Sequence, residues 1–422
     1  MGLLDNVRSN LSEWLNPKPS MGVSASTNTT PSNPLVKSLE ELNGRYHVRR
    51  TSDGFEYIRF GRNDDVPEVI DKLRMQSTTH AGIIVKKAKM VAGNSMEFDE
   101  EDIRRGMKTM FNAFYKNCES QGSGIRKVFK DMAFHFDNYG GVYLYIKWND
   151  KKDRIIQMKA LPYNSVRVGL LNSKNEADHF IVRRTFKRGT EGLMNNAARR
   201  INAYKKGSAN KEEIIYIKNP YSTVDIYSVP NYLSAYYFIS SDFEFGQHIL
   251  NTTRNGFSPK VLASFIGRNM TDEQKREEAD RFKENFTGTD GEQVLISWVK
   301  KEEEIPKFTV LDTKNLDKVV ATMAELADNK ILTAHNITSP ALFGVTRSGK
   351  LNSSTDEMRA GFNMFRATET LPTRELLLSK LNDVMEISGY GDIQFEIVDI
   401  DTDPDTDTAV TEDTVDPKTI QQ

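Results

Sequence analysis

Two long helical runs separated by a different kind of sequence constrain this chain more than any motif in it. The first spans residues 230–255 and is rich in aromatics: Tyr232, Tyr236, Tyr237, Phe238, Phe243 and Phe245. Pro230 suits its first turn and Asn255-Gly256 its C-terminal end. The second runs from about Leu316 to Ala334, with Leu316, Val319, Val320, Met323, Leu326, Ala327, Ile331 and Ala334 near heptad spacing. At about 1.5 Å per residue it is roughly 30 Å long. A face this apolar should pack on the first helix and on an adjacent copy of the chain; an ordinary intramolecular pair is the alternative. The insert between them reads as α/β. PKVLASF, VLISWV and KFTVLD have the composition of strands, and Thr271 and Gln274 have the capping-box spacing that opens the charged helix TDEQKREEADRFKENF.

The chain upstream reads as α+β. Helices are expected over 66–91, from Asp99 to Cys118 (Ile103, Met107, Met110, Phe111 and Phe114 on one face) and over 123–137. Gly140-Gly141 break the pattern, and VYLYIKW alternates apolar and polar residues as a strand does. Further strands are expected at 154–161, 166–170, 179–186 and 213–218. Between Arg183 and Lys211 nine Lys/Arg face one acid, Glu191. That pattern fits a solvated, mobile surface excursion, or contact with nucleic acid or an acidic partner. Downstream of the second helix, SPALFGVTRSGKLNSST reads as a loop. Ser354 and Glu357 then open a helix reaching Leu371, Pro372 kinks or restarts it, TRELLLSKLNDVMEI continues it, and IQFEIVDI is a last strand. At the other end, Leu3, Leu4, Val7, Leu11, Trp14 and Leu15 share one helical face, which suggests a short docking helix. Its polar face carries only Arg8 as a cation, too little for a membrane-surface role. Residues 16–34 read as a flexible linker and 401–422 as a disordered acidic tail.

Composition matters once partners are considered. The net charge is −2 with 27% charged residues, whereas a protein gripping duplex phosphates would be clearly basic. Any DNA this chain meets is therefore guided, not clamped. Cys118 is the only cysteine, so no intrachain disulfide forms. The N-terminal stretch lacks a signal-peptide core, Asn6 breaks the myristoylation pattern after Gly2, and no run approaches the roughly 20 apolar residues of a membrane span. A soluble intracellular protein is expected.

Catalytic chemistry is hard to find. Gly344 to Lys350 match G-x-x-x-x-G-K, but Leu351 stands where a P-loop needs the hydroxyl that ligates Mg²⁺, and no buried strand precedes it. Asp401, Asp403, Asp405, Asp407 and Glu412 fall at EF-hand ligand spacing, yet Thr406 replaces the turn glycine and Pro404 intrudes. His47, His80, His135, His179, His248 and His335 form no zinc spacing. No nucleophile elbow is present, and no catalytic residue, metal or cofactor is assigned. This inventory points away from an enzyme and toward an assembly component.

Seven ordered strings carry a resemblance to a known family: MGLLDNV, THAGIIVKKAKMVAGN, YGGVYLYIKW with ALPYNSVRVG, EEIIYIKNPYSTVDIYSVPNYLSA, TRNGFSPKVLASF, NKILTAHNITSPALFGVT and STDEMRAGFNMFRATETLPTRELL. Their succession over roughly 36–395 resembles the bacteriophage portal proteins of the shorter-chain group. The resemblance implies an α+β portal fold. After a flexible 1–35 segment come a wing (36–228), a first stem helix (229–256), an α/β clip (257–314), a second stem helix (315–337), a tunnel loop (338–353) and a kinked helix with a C-terminal wing or crown part (354–400). The crown is short or absent, and an acidic tail fills 401–422. It further implies a homo-oligomeric ring of about twelve subunits at one capsid vertex. The ring is the channel for double-stranded DNA in packaging and ejection. Implied partners are the terminase large subunit, a head–tail adaptor, and the major capsid and scaffolding proteins, with no membrane. The implied location is the virion, with the host cytoplasm during assembly. Implied tunnel-loop residues are Arg347, Ser348, Lys350 and Asn352; stem-packing residues are Leu316, Val319, Val320, Met323, Leu326 and Ile331; clip docking residues are Arg268, Lys275, Arg276 and Lys283. The alternatives are a phage nucleic-acid-processing enzyme using the basic 183–211 segment, or a virion structural protein that forms no ring.

Overall fold

The computed structural model describes residues 46–119, 122–187, 189–190, 196–208, 210–222, 224–254, 261–266, 270–286, 294–299, 316–337 and 355–400. The sequence readings of 1–45, KFTVLD, the 338–353 loop and the acidic tail lie outside the described residues.

Strands β1 (Val48–Arg50) and β2 (Glu56–Ile58) pair antiparallel and lead into helices α1 (Val66–Gln76) and α2 (Thr78–Ala92). The single helix expected over 66–91 is thus two. Ser77 adopts an extended conformation, and its side chain accepts from the His80 N–H at 3.1 Å, capping α2 instead of continuing α1. Strand β3 (Ser95–Glu97) follows, then α3 (Lys108–Asn117) and α4 (Ile125–Tyr139). The expected start of α3 at Asp99 is corrected. Residues 100–102 form a 3-10 turn, and Gly106 takes a left-handed φ of 82°, which ends any continuous helix there. Ile103 and Met107 still pack on the core although they precede the helix.

Gly140 ends α4 at φ 78°, and a Cβ there would lie 2.3 Å from the Val229 backbone, so only glycine fits. The chain then enters a six-stranded sheet of β4 (Gly141–Trp148), β5 (Ile155–Ala160), β6 (Val166–Val168), β7 (His179–Val182), β8 (Arg199–Ala203) and β9 (Glu212–Lys218). Its order is β5-β4-β9-β8-β7-β6, antiparallel except for the β8–β9 pair. The alternation read in β4 is real, but it separates two cores, not core from water. Val142, Leu144 and Ile146 join α3, α4 and the C-terminal helix in one core; Tyr143 and Tyr145 enter the other. Tyr143 stacks on Tyr216 at 4.3 Å, and the Tyr163 and Tyr216 hydroxyls lie 3.0 Å apart, so the phenol oxygens at this interface are partly satisfied among themselves. A buried ion pair anchors the far edge. Arg167 donates to Asp64 at 2.6 Å, both side chains fully enclosed, with the guanidinium 4.5 Å from the Phe186 ring.

The basic stretch is not wholly the mobile excursion expected. Its residues 199–203 form β8 inside the sheet, and Arg199 pairs with Glu212 at 3.1 Å. A 3-10 turn over Asn231–Ala235 opens α5 (Tyr236–Arg254). Strand β10 (Val261–Ile266), helix α6 (Asp272–Phe286) and β11 (Val294–Val299) form a βαβ unit with the strands parallel and in register from Val261↔Val294. The expected capping box forms: the Thr271 N–H donates to Gln274 Oε1 at 3.0 Å and the Gln274 N–H to Thr271 Oγ1 at 3.4 Å. Helix α7 (Leu316–Ala334) pairs with α5. Finally α8 (Thr355–Phe365) runs through a π turn at 366–370 into α9 (Leu371–Ile387), and β12 (Glu396–Val398) pairs with β3. The break expected at Pro372 takes this form: the Leu371 N–H reaches Arg366, five residues back, just before the proline that has no N–H to give.

Candidate functional site

No described side chains converge as an enzyme site would. Among the described residues no three His, Cys, Asp or Glu gather to hold a metal, and no helix is long and apolar enough to cross a membrane. Burial pushes the Cys118 thiol up to about 12, which leaves no thiolate nucleophile at neutral pH. The feature built with most care is the α5–α7 pair and the junction at its base.

The inner faces of the two helices are buried: Ile239 on α5, and Ala327, Ile331 and Leu332 on α7. Their other flanks are not. Ile249 is 61% and Leu250 48% exposed on α5; Met323 is 53% and Leu326 50% exposed on α7. Of the expected stem residues, Ile331 is therefore in the core, Val320 is half-buried, and Met323 and Leu326 face outward. Leu316 and Val319 lie in the first turn of α7, and the packing of their side chains is outside the described residues. Lys275 and Arg276 stand on α6, Arg276 exposed and Lys275 paired with Asp272 at 3.2 Å. Lys283 is on the same helix, while Arg268 and the loop residues Arg347, Ser348, Lys350 and Asn352 lie outside the described residues.

At the junction the N-terminus of α2 meets both long helices. Ser77 Oγ donates to Asp242 of α5 at 2.6 Å, and Thr79 Oγ1 to Asp328 of α7 at 2.8 Å. Two carboxylates thus sit at the positive end of one helix, where the backbone dipole favours them. Burial raises the Asp328 carboxyl, and the neighbouring Asp242 charge adds to the rise. One turn on, His80 Nδ1 and His335 Nε2 lie 2.9 Å apart, with Tyr232 packed against both rings at 4.4 and 4.9 Å. Burial pushes His80 down to about 3 and holds His335 well below its ordinary value, so both are neutral, one donating and the other accepting. Beside them Lys87 stands 3.6 Å from Asp137 and 3.8 Å from Glu369 of the π turn. Burial lifts the Asp137 carboxyl to about 6 even with Lys87 alongside. Asn336, at a left-handed φ of 58°, closes the set by donating to Glu369 at 3.0 Å.

Sequence reasoning missed this junction. His80 and His335 are 255 residues apart, and nothing local announces a tertiary pair. Only Ser77-Thr78-Thr79 carried a readable signal, a cluster of helix-capping hydroxyls inside an otherwise helical run. The junction locks the base of the long helices to the sheet-bearing body.

No family model matches the chain, and no curated protein matches it. Solved structures do. A chain of the neck of a native gene transfer agent particle, computed with C12 symmetry, is similar at 12% identity and a TM-score of 0.50, covering 87% of this chain and 91% of that one. A chain of the neck of the empty particle, computed with C6 symmetry, is similar at 13% identity and a TM-score of 0.51, covering 81% and 85%. At these identities the likeness shows the fold alone: the α+β chain expected from the sequence is met, and it shares its fold with chains of that particle neck.

Proposed function

We propose that this chain is the portal subunit of a phage-like particle. About twelve copies close a ring at one capsid vertex, and double-stranded DNA passes through the ring during packaging and ejection. The observation that carries this reading is the outer flank of the helix pair. Met323, Leu326, Ile249 and Leu250 remain about half exposed or more in a single chain. Covering what remains exposed of each would contribute about 1 kcal/mol, roughly half the value for full burial, and repetition of one heterologous contact can close a ring. Neck chains of the same fold come from particle necks computed with C12 and C6 symmetry. In this reading residues 36–228 are the wing, 229–256 and 315–337 the stem helices, 257–314 the clip and 354–400 the kinked helix with a reduced crown. The 338–353 loop presents Arg347 and Lys350 to the channel. The exposed cations of α6 serve partner docking, with the terminase as the ATPase and a head–tail adaptor as its successor on the clip. The role is structural, and the chain itself performs no catalysis. The basic segment contributes β8 to the sheet, with Arg199 paired to Glu212 and Arg200 exposed, so part of it serves the fold.

The particle mass tests the ring. Twelve copies of a 48.0 kDa chain give about 0.6 MDa, and negative-stain images of the same sample should show rings with a central hole. A strict monomer at every concentration, with and without the particle's scaffolding protein, would overturn the reading.

A further inference from the structure

The α5–α7 pair does not account for every apolar surface on the molecule. On the tyrosine-bearing side of the sheet, a recess of about 560 Å³ opens over β8 and β9. Its apolar lining includes Leu171, Ala177, Ala203, Tyr204 and Tyr216, all only half-buried. Leu171 and Ala177 face each other across one lip, joined by a bridge between their backbones. Lys218 stretches along the other side, its Nζ 5.4 Å from the Tyr216 ring and donating to the Asp225 carbonyl at 2.6 Å, so its charge is turned to the rim. The recess is large enough for several aliphatic or aromatic side chains, and its lining is mixed: Asn175, Glu176, Lys218 and Asp225 stand among the apolar residues, so it suits an amphipathic occupant with charges at its edge.

Tyr46, the first described residue, lines this same recess. Everything N-terminal to it therefore departs from the recess mouth. That preceding stretch contains one strongly apolar run, Leu3, Leu4, Val7, Leu11, Trp14 and Leu15, which the sequence places on a single helical face. Such a face needs a cover. We propose that residues 3–15 are the occupant of the recess over β8 and β9, held there intramolecularly by the chain's own linker.

Reach and concentration both allow it. The intervening residues 16–45 are rich in Ser, Thr, Asn and Pro. A random-coil chain of that length would have a root-mean-square span of roughly 30 Å, enough to turn back on its own point of departure. A tether on this scale gives an effective concentration on the order of millimolar, so a contact too weak to hold a free peptide is still well populated. The signs agree at the rim: Arg8 can meet exposed Glu176, and Asp5 or Glu13 can meet Lys218.

Cysteine pairing in the full chain tests this directly. Cys118, the only native cysteine, is buried with its thiol raised to about 12, so it stays silent under mild oxidation. A chain carrying Leu11→Cys and Ala203→Cys should form an intrachain disulfide severalfold faster than one carrying Ser12→Cys and Ala203→Cys, which places the thiol off the apolar face. Adding Trp14→Asp to the first pair should abolish that advantage while leaving the circular dichroism spectrum of the body unchanged. Equal rates for the two pairs, or no effect of Trp14→Asp, would overturn the proposal. A crosslink appearing only at dimer mass would also overturn it, because the occupant would then be a neighbouring copy. None of these readouts depends on ring formation.

Discussion

His80 and His335 show how much a single proton matters at this junction. Neutral, they share one hydrogen bond; both protonated, they would face each other as buried cations. Both hold depressed values in the folded chain, as does His135, pushed down to about 4 by burial. An unfolded histidine takes up its proton near its ordinary value of about 6.5, whereas these three do not. Stability is therefore full above that value and falls as pH drops toward the folded values, by up to about 1.4 kcal/mol per pH unit for each group. Asp137 acts in the opposite sense. Its raised carboxyl favours the folded state below the ordinary carboxylate value, and that gain is lost as pH rises through about 6. Asp328 and Glu68, also raised by burial, act in the same sense as Asp137, so the histidine contribution is read by substitution and not from the net profile. Replacing His335 with Gln keeps a hydrogen-bonding side chain and removes the titration. Chemical denaturation from pH 7 to 4.5 should show a shallower acid loss for His335→Gln than for the parent chain; parallel curves would mean His335 is not held neutral by the fold. None of this was readable locally. A buried histidine pair is a tertiary fact, and each member sits in a helical run of ordinary composition.

At the scale of elements, the long helices were the most legible part of the chain because their apolar positions repeat over several turns. The expected 316–334 limits match α7 residue for residue, and α5 starts only a turn late because Asn231–Ala235 wind as a 3-10 turn. Short elements were not legible: β1, β2 and β3 have three residues each, too few to display a period. Strand β8 was hidden by its charges, since only Ile201 of Arg199–Ala203 is buried. The start of α3 was misplaced because Ile103 and Met107 reach the core from outside the helix, so an apolar face continued past the point where Gly106 ends it. The two flanks of α7 make separable predictions. Exchanging exposed Met323 and Leu326 for Asp should leave the single chain folded, with a cooperative melt near that of the parent, and should remove the ring from the mass distribution. An intact ring in that double variant would assign the subunit contact to another face.

For the whole molecule in the proposed ring, the relevant charge would be a repeated one. A net −2 per chain is near neutrality, yet two cations per subunit on a shared radius would make closely spaced belts round a channel. Screening over about 8 Å at physiological salt would blur each belt into a shallow attraction that lets phosphates slide. Replacing Arg347 and Lys350 with Ala should leave assembly intact and change the amount of DNA packaged or its retention. Normal, stable filling of heads by the double variant would remove these two residues from the channel.

The doubly tethered N-terminus of α2 has a mechanical consequence. Asp242 and Asp328 belong to different long helices but are fastened to Ser77 and Thr79 at the start of α2, whose far end is held by Arg374 through the Met90 and Val91 carbonyls. A thrust along either long helix would thus be divided at a yoke and passed through α2 into α9. In the proposed ring the two struts would then share their load, and the subunit would tilt as one lever when its tip is pushed.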